Sequence, residues 1–267
     1  FAQAADGSAH SGIFISSLYG GAVTNKAAYT YYDASMTKKT GYLTDTGFMT
    51  GLFLQWIDPS LFQANLFLYG APDVNYSRVL GAHANADAYF LNGSWGSCVA
   101  GVDVEDIDIN MKAKAHLLDK GYSDMTMTNN VLFLMARAGA KFRFAPSDMI
   151  FCSIFPYAGI TRETVDGNVT YDLAAAPPAY KHGDRDFTGK DHYFSWGANL
   201  NVNIMHFIDL TAKYLGRAKQ GEYLNSFTGQ ANIYVSRNFG ISWQTKYMDI
   251  SGDAYDLYNI LGATLVF

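Results

Sequence analysis

The residues best suited to chemistry in this 267-residue chain form two groups of opposite charge on neighbouring segments. The groups are Asp103, Glu105, Asp106 and Asp108, followed by Arg137, Lys141 and Arg143. Such side chains can pair with one another, or they can set a field across a water-filled space and select ions by charge. Because Asp106 and Asp108 alternate with apolar residues, they are predicted to share the polar face of a β-strand. The change of parity between Glu105 and Asp106 predicts a β-bulge.

Catalytic chemistry has no comparable group in the sequence. The chain lacks GxSxG and HExxH, which are local patterns of hydrolases and zinc proteases. His192 and Ser195 come closest to a base and a nucleophile, but they form no recognised motif. Cys98 and Cys152 lack the CxxC spacing of metal ligands and are predicted to be separate strand residues, although one bridge is possible after export. We therefore expect no enzymatic activity, no metal site and no cofactor.

The elements that must position the charged groups are β-strands. Alternation is cleanest over residues 196–205, where apolar side chains alternate with asparagines, and residues 207–217 repeat it. Three asparagines on one face predict that the strands enclose a hydrated interior. The side chains predicted to line that interior are Asp106, Asp108, Arg137, Lys141, Arg143, Asn199, Asn201, Asn203 and Lys213.

Twelve strand candidates follow one another along the chain. They are 12–19, 47–57, 60–71, 79–91, 97–115, 125–145, 148–163, 192–205, 207–217, 226–237, 239–250 and 255–267. Polar stretches at 20–44, 72–80, 116–124 and 164–190 are predicted to be loops, and Asp166-Gly167-Asn168 is predicted to be a hairpin turn. Weak patterning before residue 47 and over 77–100 leaves ten or fourteen strands as alternatives.

The composition is that of an all-β protein with one face in an apolar medium. Aromatic residues make up 15% of the chain, and charged residues make up 16% against a usual value of about 25%. No run approaches the roughly 18 to 20 apolar residues that a transmembrane helix requires, which excludes a helical membrane protein. A transmembrane β-barrel fits these values, and a secreted β-sandwich or a lipocalin-like barrel is the alternative.

The last strand carries a resemblance. Leu261, Ala263, Leu265 and Phe267 share one face of a segment that ends in an aromatic residue. This pattern resembles the closing strand of bacterial outer-membrane β-barrel proteins. The resemblance implies one antiparallel transmembrane barrel over 5–267, with short periplasmic turns and long extracellular loops. It also implies contact with outer-membrane lipid and lipopolysaccharide, and insertion by the barrel-assembly machinery.

The N-terminal residues and the net charge add to this interpretation. Residues 1–4 contain Ala2-Gln3-Ala4, the small-x-small form of a signal-peptide cleavage site, and predict export. The net charge of -5 argues against nucleic acid as a partner, because phosphate binding needs a clustered basic surface.

Two functions remain open from the sequence. The first is a porin-like passive channel for small hydrophilic solutes or ions. The second is a closed structural or interaction barrel that binds other envelope proteins, or itself, through its loops. Strand number, solute, selectivity and oligomeric state stay open.

Overall fold

The fold was analysed in a computed structural model, which describes residues 12–32, 38–58, 61–74, 77–112, 122–173, 182–205, 207–251 and 254–267. Twelve β-strands account for nearly all of them. In chain order they are β1 (Ile13–Tyr32), β2 (Lys38–Asp58), β3 (Phe62–Val74), β4 (Ser77–Gly93), β5 (Gly96–Lys112), β6 (Tyr122–Ser147), β7 (Ile150–Leu173), β8 (His182–Ile204), β9 (Ile208–Lys219), β10 (Glu222–Tyr234), β11 (Phe239–Ser251) and β12 (Ala254–Val266). No helix in the described part of the chain is long and apolar enough to cross a membrane. The predicted signal-peptide remnant at 1–4 lies outside the described residues.

The twelve strands close into a single barrel in which every neighbour is antiparallel, as predicted. Closure is made by β1 and β12, whose register runs from Ile15 opposite Val266 to Lys26 opposite Tyr255. Pairing continues to the last residue, since the Phe267 amide donates to the Phe14 carbonyl oxygen at 2.8 Å. A closed barrel leaves no unpaired sheet edge, so the backbone groups of the wall are satisfied within the wall.

Strand alternation gives the wall two faces of different character. On β12 and the residue that follows it, Leu261, Leu265 and Phe267 are exposed on the outward face, while Tyr258 and Ile260 are buried on the inward face. The predicted closing-strand face is therefore the outward one. The same alternation makes an apolar outer belt whose members include Leu18, Phe48, Trp56, Ile160, Phe194, Phe227, Ile233, Trp243 and Leu261. A broad apolar surface of this kind requires an apolar surrounding medium.

The two ends of the barrel differ. One end of the barrel holds the beginning of β1 and the end of β12, and we call it the turn end. Consecutive strands are joined there by a few residues, as at 59–61 and 235–238. We call the opposite end the loop end. Its connections include 33–37, 113–121 and 174–181, but three others are as short as those of the turn end. One of these is the tight turn at Gln220 and Gly221, which both have positive φ, as a two-residue hairpin turn requires.

The strands extend further toward the loop end than the sequence predicts. Residues 20–44, predicted to be a loop, are mostly strand, because β1 runs to Tyr32 and β2 begins at Lys38. The predicted loop at 164–190 is likewise mostly β7 and β8. Asp166-Gly167-Asn168 lies within β7 and pairs with β8, so the predicted hairpin turn is wrong. Polar strands beyond the apolar belt satisfy their backbone groups in the hairpin and need no apolar alternation, so their sequence is similar to that of a loop.

Candidate functional site in the barrel lumen

Strand β5 shows which side chains point into the lumen. Val99 and Ile107 are buried, whereas Val102 between them is 47% exposed. Odd-numbered residues of β5 therefore face inward and even-numbered residues face outward. The register with β4 and β6 is continuous through residues 98–111, so the predicted β-bulge at Glu105 and Asp106 is absent.

Arg137 organises a group of inward charges near the middle of the wall. Its guanidinium donates to Asp87 through Nε at 3.1 Å and Nη2 at 3.0 Å, and to Asp103 Oδ2 through Nη1 at 3.3 Å. His83 Nε2 lies 2.9 Å from Asp103 Oδ1. Since Arg137 is only 7% exposed, its charge depends on these carboxylates for compensation. We call Arg137, Asp87, Asp103 and His83 the arginine cluster.

A second ion pair crosses the lumen. Lys246 Nζ on β11 lies 2.7 Å from Glu105 Oε1 on β5. These strands are six positions apart in a closed ring of twelve, so the pair joins opposite walls. Tyr69 also donates to the Glu105 carboxylate at 3.3 Å. The two side chains thus bridge the lumen from wall to wall.

A third group of charges lies closer to the loop end. Lys219 Nζ is 2.6 Å from Glu163 Oε1, and the Tyr193 hydroxyl donates to Glu163 Oε2 at 3.0 Å. Arg217 donates to the Asp249 carbonyl oxygen at 2.7 Å and stacks over Phe133 with 5.7 Å to the ring centroid. Carboxylates and cations thus face each other at several levels of the described lumen.

Three compartments lie along the barrel axis among the described residues. A vestibule of about 700 Å³ opens at the turn end. It leads to a cavity of about 30 Å³ beside Asn65 and Tyr89, which we call the small cavity. A cavity of about 90 Å³ lies between the arginine cluster and the Lys246–Glu105 pair, and we call it the central cavity. The lumen is therefore wide at the turn end and narrow in the middle.

Seven of the nine predicted lumen residues lie in this space. Arg137, Lys141 and Arg143 occupy inward positions of β6, and Lys213 occupies an inward position of β9. Asn199, Asn201 and Asn203 line the compartments from β8. Asn203 donates to Asp209 at 2.5 Å, and Asn201 accepts a hydrogen bond from Thr211 at 2.9 Å.

The prediction that Asp106 and Asp108 line the lumen is wrong. Both are exposed and face outward, next to the outward Leu132 and Leu80 on the neighbouring strands. Asp106 comes about ten residues after the start of β5, and about 9–11 residues suffice for a strand to cross a bilayer. The acids thus lie where the apolar belt ends, and there an outward charge no longer meets hydrocarbon. Asp106 accepts a hydrogen bond from Asn130 at 2.9 Å.

Sequence reasoning missed several lumen residues, among them His83, Asp87, Glu163 and Lys246. A signal for Asp87 was present, because Asn85, Asp87 and Tyr89 alternate with three alanines in β4, a segment that seemed poorly patterned. The pairing of Lys246 with Glu105 had no local signal, since 141 residues separate the two.

The candidate catalytic pair does not assemble. Ser195 is fully buried on the inward face of β8 and hydrogen-bonds Thr161 at 2.7 Å, whereas His192 is exposed on the outward face. Cys98 and Cys152 are free and lie on β5 and β7 with β6 between them. Within the described residues, no three His, Cys, Asp or Glu side chains are grouped to hold a metal ion.

Solved structures with a similar fold are bacterial outer-membrane proteins. The translocator domain of the autotransporter NalP from Neisseria meningitidis matches with a TM-score of 0.52 and 10% identity, over 96% of this chain and 88% of that chain. The transport unit of the autotransporter AIDA-I from Escherichia coli matches with a TM-score of 0.48 and 9% identity, over 100% and 93%. The KdgM porin matches with a TM-score of 0.41 and 9% identity, over 93% and 99%. No protein-family model and no curated protein matches the sequence.

The fold is thus that of the bacterial outer-membrane β-barrels, as the closing strand predicted. The NalP comparison, the closed ring of twelve strands and the apolar outer belt agree on this class. At 10% identity the likeness concerns the fold alone, and the role of the lumen must be argued from its own residues.

Proposed function

We propose that this protein resides in a bacterial outer membrane and passes small ions through a narrow, charged lumen. The observation that carries the proposal is a series of charged and amide side chains, set among apolar neighbours, that lines the vestibule, the small cavity and the central cavity in turn. A barrel that served only as a membrane anchor would be stable with an apolar interior, and buried charge adds little net stability to such an interior. Rings of charged side chains, by contrast, are a means of selecting ions.

The size of the lumen restricts what passes. The central cavity of about 90 Å³ offers room for a few water molecules, and the Lys246–Glu105 pair crosses it. The species that fit are single ions and very small solutes that pass by displacing these side chains. Larger solutes would require a different arrangement of the side chains around the central cavity.

The orientation follows from the two ends. We propose that the turn end faces the periplasm, and that the longer strands project on the outer side, in contact with lipopolysaccharide. Insertion by the barrel-assembly machinery through β12 is part of the same proposal, as is the absence of enzymatic activity.

A second function is favoured by one specific contact. Because Lys246 and Glu105 join opposite walls at 2.7 Å, the lumen is bridged, as in a structural barrel that acts through its loops. In that case the projecting ends of β6, β7 and β8 would contact other envelope proteins or a second copy of this chain.

Single-channel recording in planar bilayers separates the two functions. We expect the wild-type protein to give small ohmic steps, and Lys246→Met combined with Glu105→Gln to increase the conductance several-fold, because the side chains that bridge the lumen no longer attract each other. Lys190→Met is the matched control, because Lys190 is exposed on the outward face of β8 and its loss should leave the conductance unchanged. Silence of both the wild type and the double variant, with folded protein shown by heat-modifiable mobility, would exclude the channel and favour the structural barrel.

A further inference from the structure

Two lysines in the lumen have no carboxylate within ion-pair distance, although the charges of Asp87 and Asp103 act on them from further away. Lys213 makes no hydrogen bond or ion pair with any residue that the structure describes. Lys141 donates one hydrogen bond, to the Tyr89 hydroxyl at 3.3 Å, and its ammonium lies 5.0 Å from the Tyr89 ring centroid. The other lysines of the described lumen, Lys219 and Lys246, each lie within 2.7 Å of a glutamate. The lack of a partner thus distinguishes Lys141 and Lys213 from them.

The two lysines share one place in the lumen. Both line the small cavity and both line the vestibule, so both border the junction of these compartments. Lys213 also lines the central cavity. Asn201 borders the junction from β8, and its amide nitrogen, which donates one hydrogen bond to Ser153 at 3.4 Å, carries a second N–H.

Cations exceed carboxylates in each of the three compartments. Three cations and Asp209 line the vestibule, and three cations and Asp87 line the small cavity. Four cations, with Asp103 and Glu105, line the central cavity, not counting His83. Because some side chains line more than one compartment, the distinct ones are six cations and four carboxylates. This excess is opposite in sign to the net charge of the whole chain, which is -5. The lumen is thus positive in an otherwise acidic protein.

The carboxylates nearest to Lys213 are already engaged. Asp87 and Asp103 are bound by Arg137, and Asp103 is also bound by His83. Glu105 is bound by Lys246. Both lysines are only partly exposed, so their ammonium groups are less hydrated than at a free surface and favour a counter-charge. No further protein carboxylate takes that role at this junction within the described residues. A small anion from solution would supply the missing charge.

We propose that one small anion binds between Lys213 and Lys141, at the junction of the vestibule and the small cavity. The ligand is chloride or a single phosphate group that enters from the vestibule, because the small cavity alone, at about 30 Å³, holds only one or two water-sized species. Binding stands independently of conduction. The consequence that the lumen prefers anions over cations rests on the proposed channel function.

The binding test uses the folded full-length protein in detergent and inorganic phosphate as the probe. At constant ionic strength, replacing gluconate by phosphate should give a saturable rise in the unfolding temperature of the wild type. Lys213→Gln should abolish the rise, and Lys141→Gln should reduce it. Lys190→Gln removes the same charge from the outward face of β8 and should keep the full rise. An equal rise in Lys213→Gln and wild type, or no rise in wild type, would overturn the binding site.

The selectivity test uses reversal potentials in potassium chloride gradients. We expect chloride to be the more permeant ion, and Lys213→Gln to move the permeability ratio toward one, with Lys190→Gln unchanged. A conducting wild type that prefers potassium would overturn the inferred selectivity while leaving the channel in place. A silent bilayer with a phosphate response that depends on Lys213 would overturn the channel and leave the anion site in place.

Discussion

The two faces of β5 carry acids in different settings. Asp103 and Glu105 point inward, where Asp103 contacts Arg137 and His83 and Glu105 contacts Lys246 and Tyr69. Asp106 and Asp108 point outward and are exposed at the edge of the apolar belt. Four acids within six residues therefore meet two environments. On β5 an acidic side chain that faces the lumen is paired with a cation. An acidic side chain that faces outward needs only to lie beyond the hydrocarbon of the membrane.

The largest effect is expected from replacing Arg137, which compensates the inward acids. Arg137→Leu removes the cation that Asp87 and Asp103 share and leaves two buried carboxylates with less compensation. We expect a loss of about 3–5 kcal/mol in the free energy of unfolding. Urea unfolding in detergent micelles, followed by tryptophan fluorescence, measures it. A loss below about 1 kcal/mol, the range of exposed ion pairs, would show that water already solvates the arginine cluster.

A charge placed at Leu261 tests how the outward face tolerates charge within the apolar belt. Its side chain is 60% exposed on the outward face of β12, partway along the crossing segment. We expect Leu261→Arg to destabilise the protein in lipid bilayers by about 2–4 kcal/mol, because the charge must enter hydrocarbon. Asp108→Arg is the matched control and should cost about 0–1 kcal/mol, as for an arginine near the interface. Equal costs for the two variants would mean that the belt does not end near Asp108.

Asp106 gives the smallest expected effect. Asp106→Asn changes an exposed outward side chain, so we expect stability to stay within about 0.5 kcal/mol and conductance to stay unchanged. Asp103→Asn, three positions earlier on the inward face, should alter both properties because it weakens the contacts with Arg137 and His83. A change of ion selectivity in Asp106→Asn would show that Asp106 faces the lumen and would contradict its outward position.

Much of the fold was predictable because strand alternation is a local property. Residues 198–204 alternate asparagine with aliphatic side chains, and the structure places the asparagines inside. The strand ends beyond the belt were not predictable, because both faces are polar there. Asp166-Gly167-Asn168 therefore had the composition of a turn although it lies within β7.

The types of side chain that line the lumen were predictable from the sequence, but the contacts between them were not. Arg137, Lys141, Arg143 and Lys213 were expected inside and lie inside. The assignment of Asp106 failed because a run of acids on both parities does not indicate which parity points inward. That choice depends on the height of each acid relative to the belt, which is a property of the assembled wall.

By itself the sequence determined an antiparallel barrel of about twelve strands, with an apolar outer face and with charged and amide side chains on the inner face, since alternation follows from side chains two residues apart. Only the tertiary structure decided which charges meet. Ring closure brings β5 opposite β11 and joins Glu105 to Lys246, while Lys213 and Lys141 converge on one cavity without a carboxylate of their own. The physical reason is that ionic contacts depend on distance across the lumen, and that distance exists only after the barrel has closed.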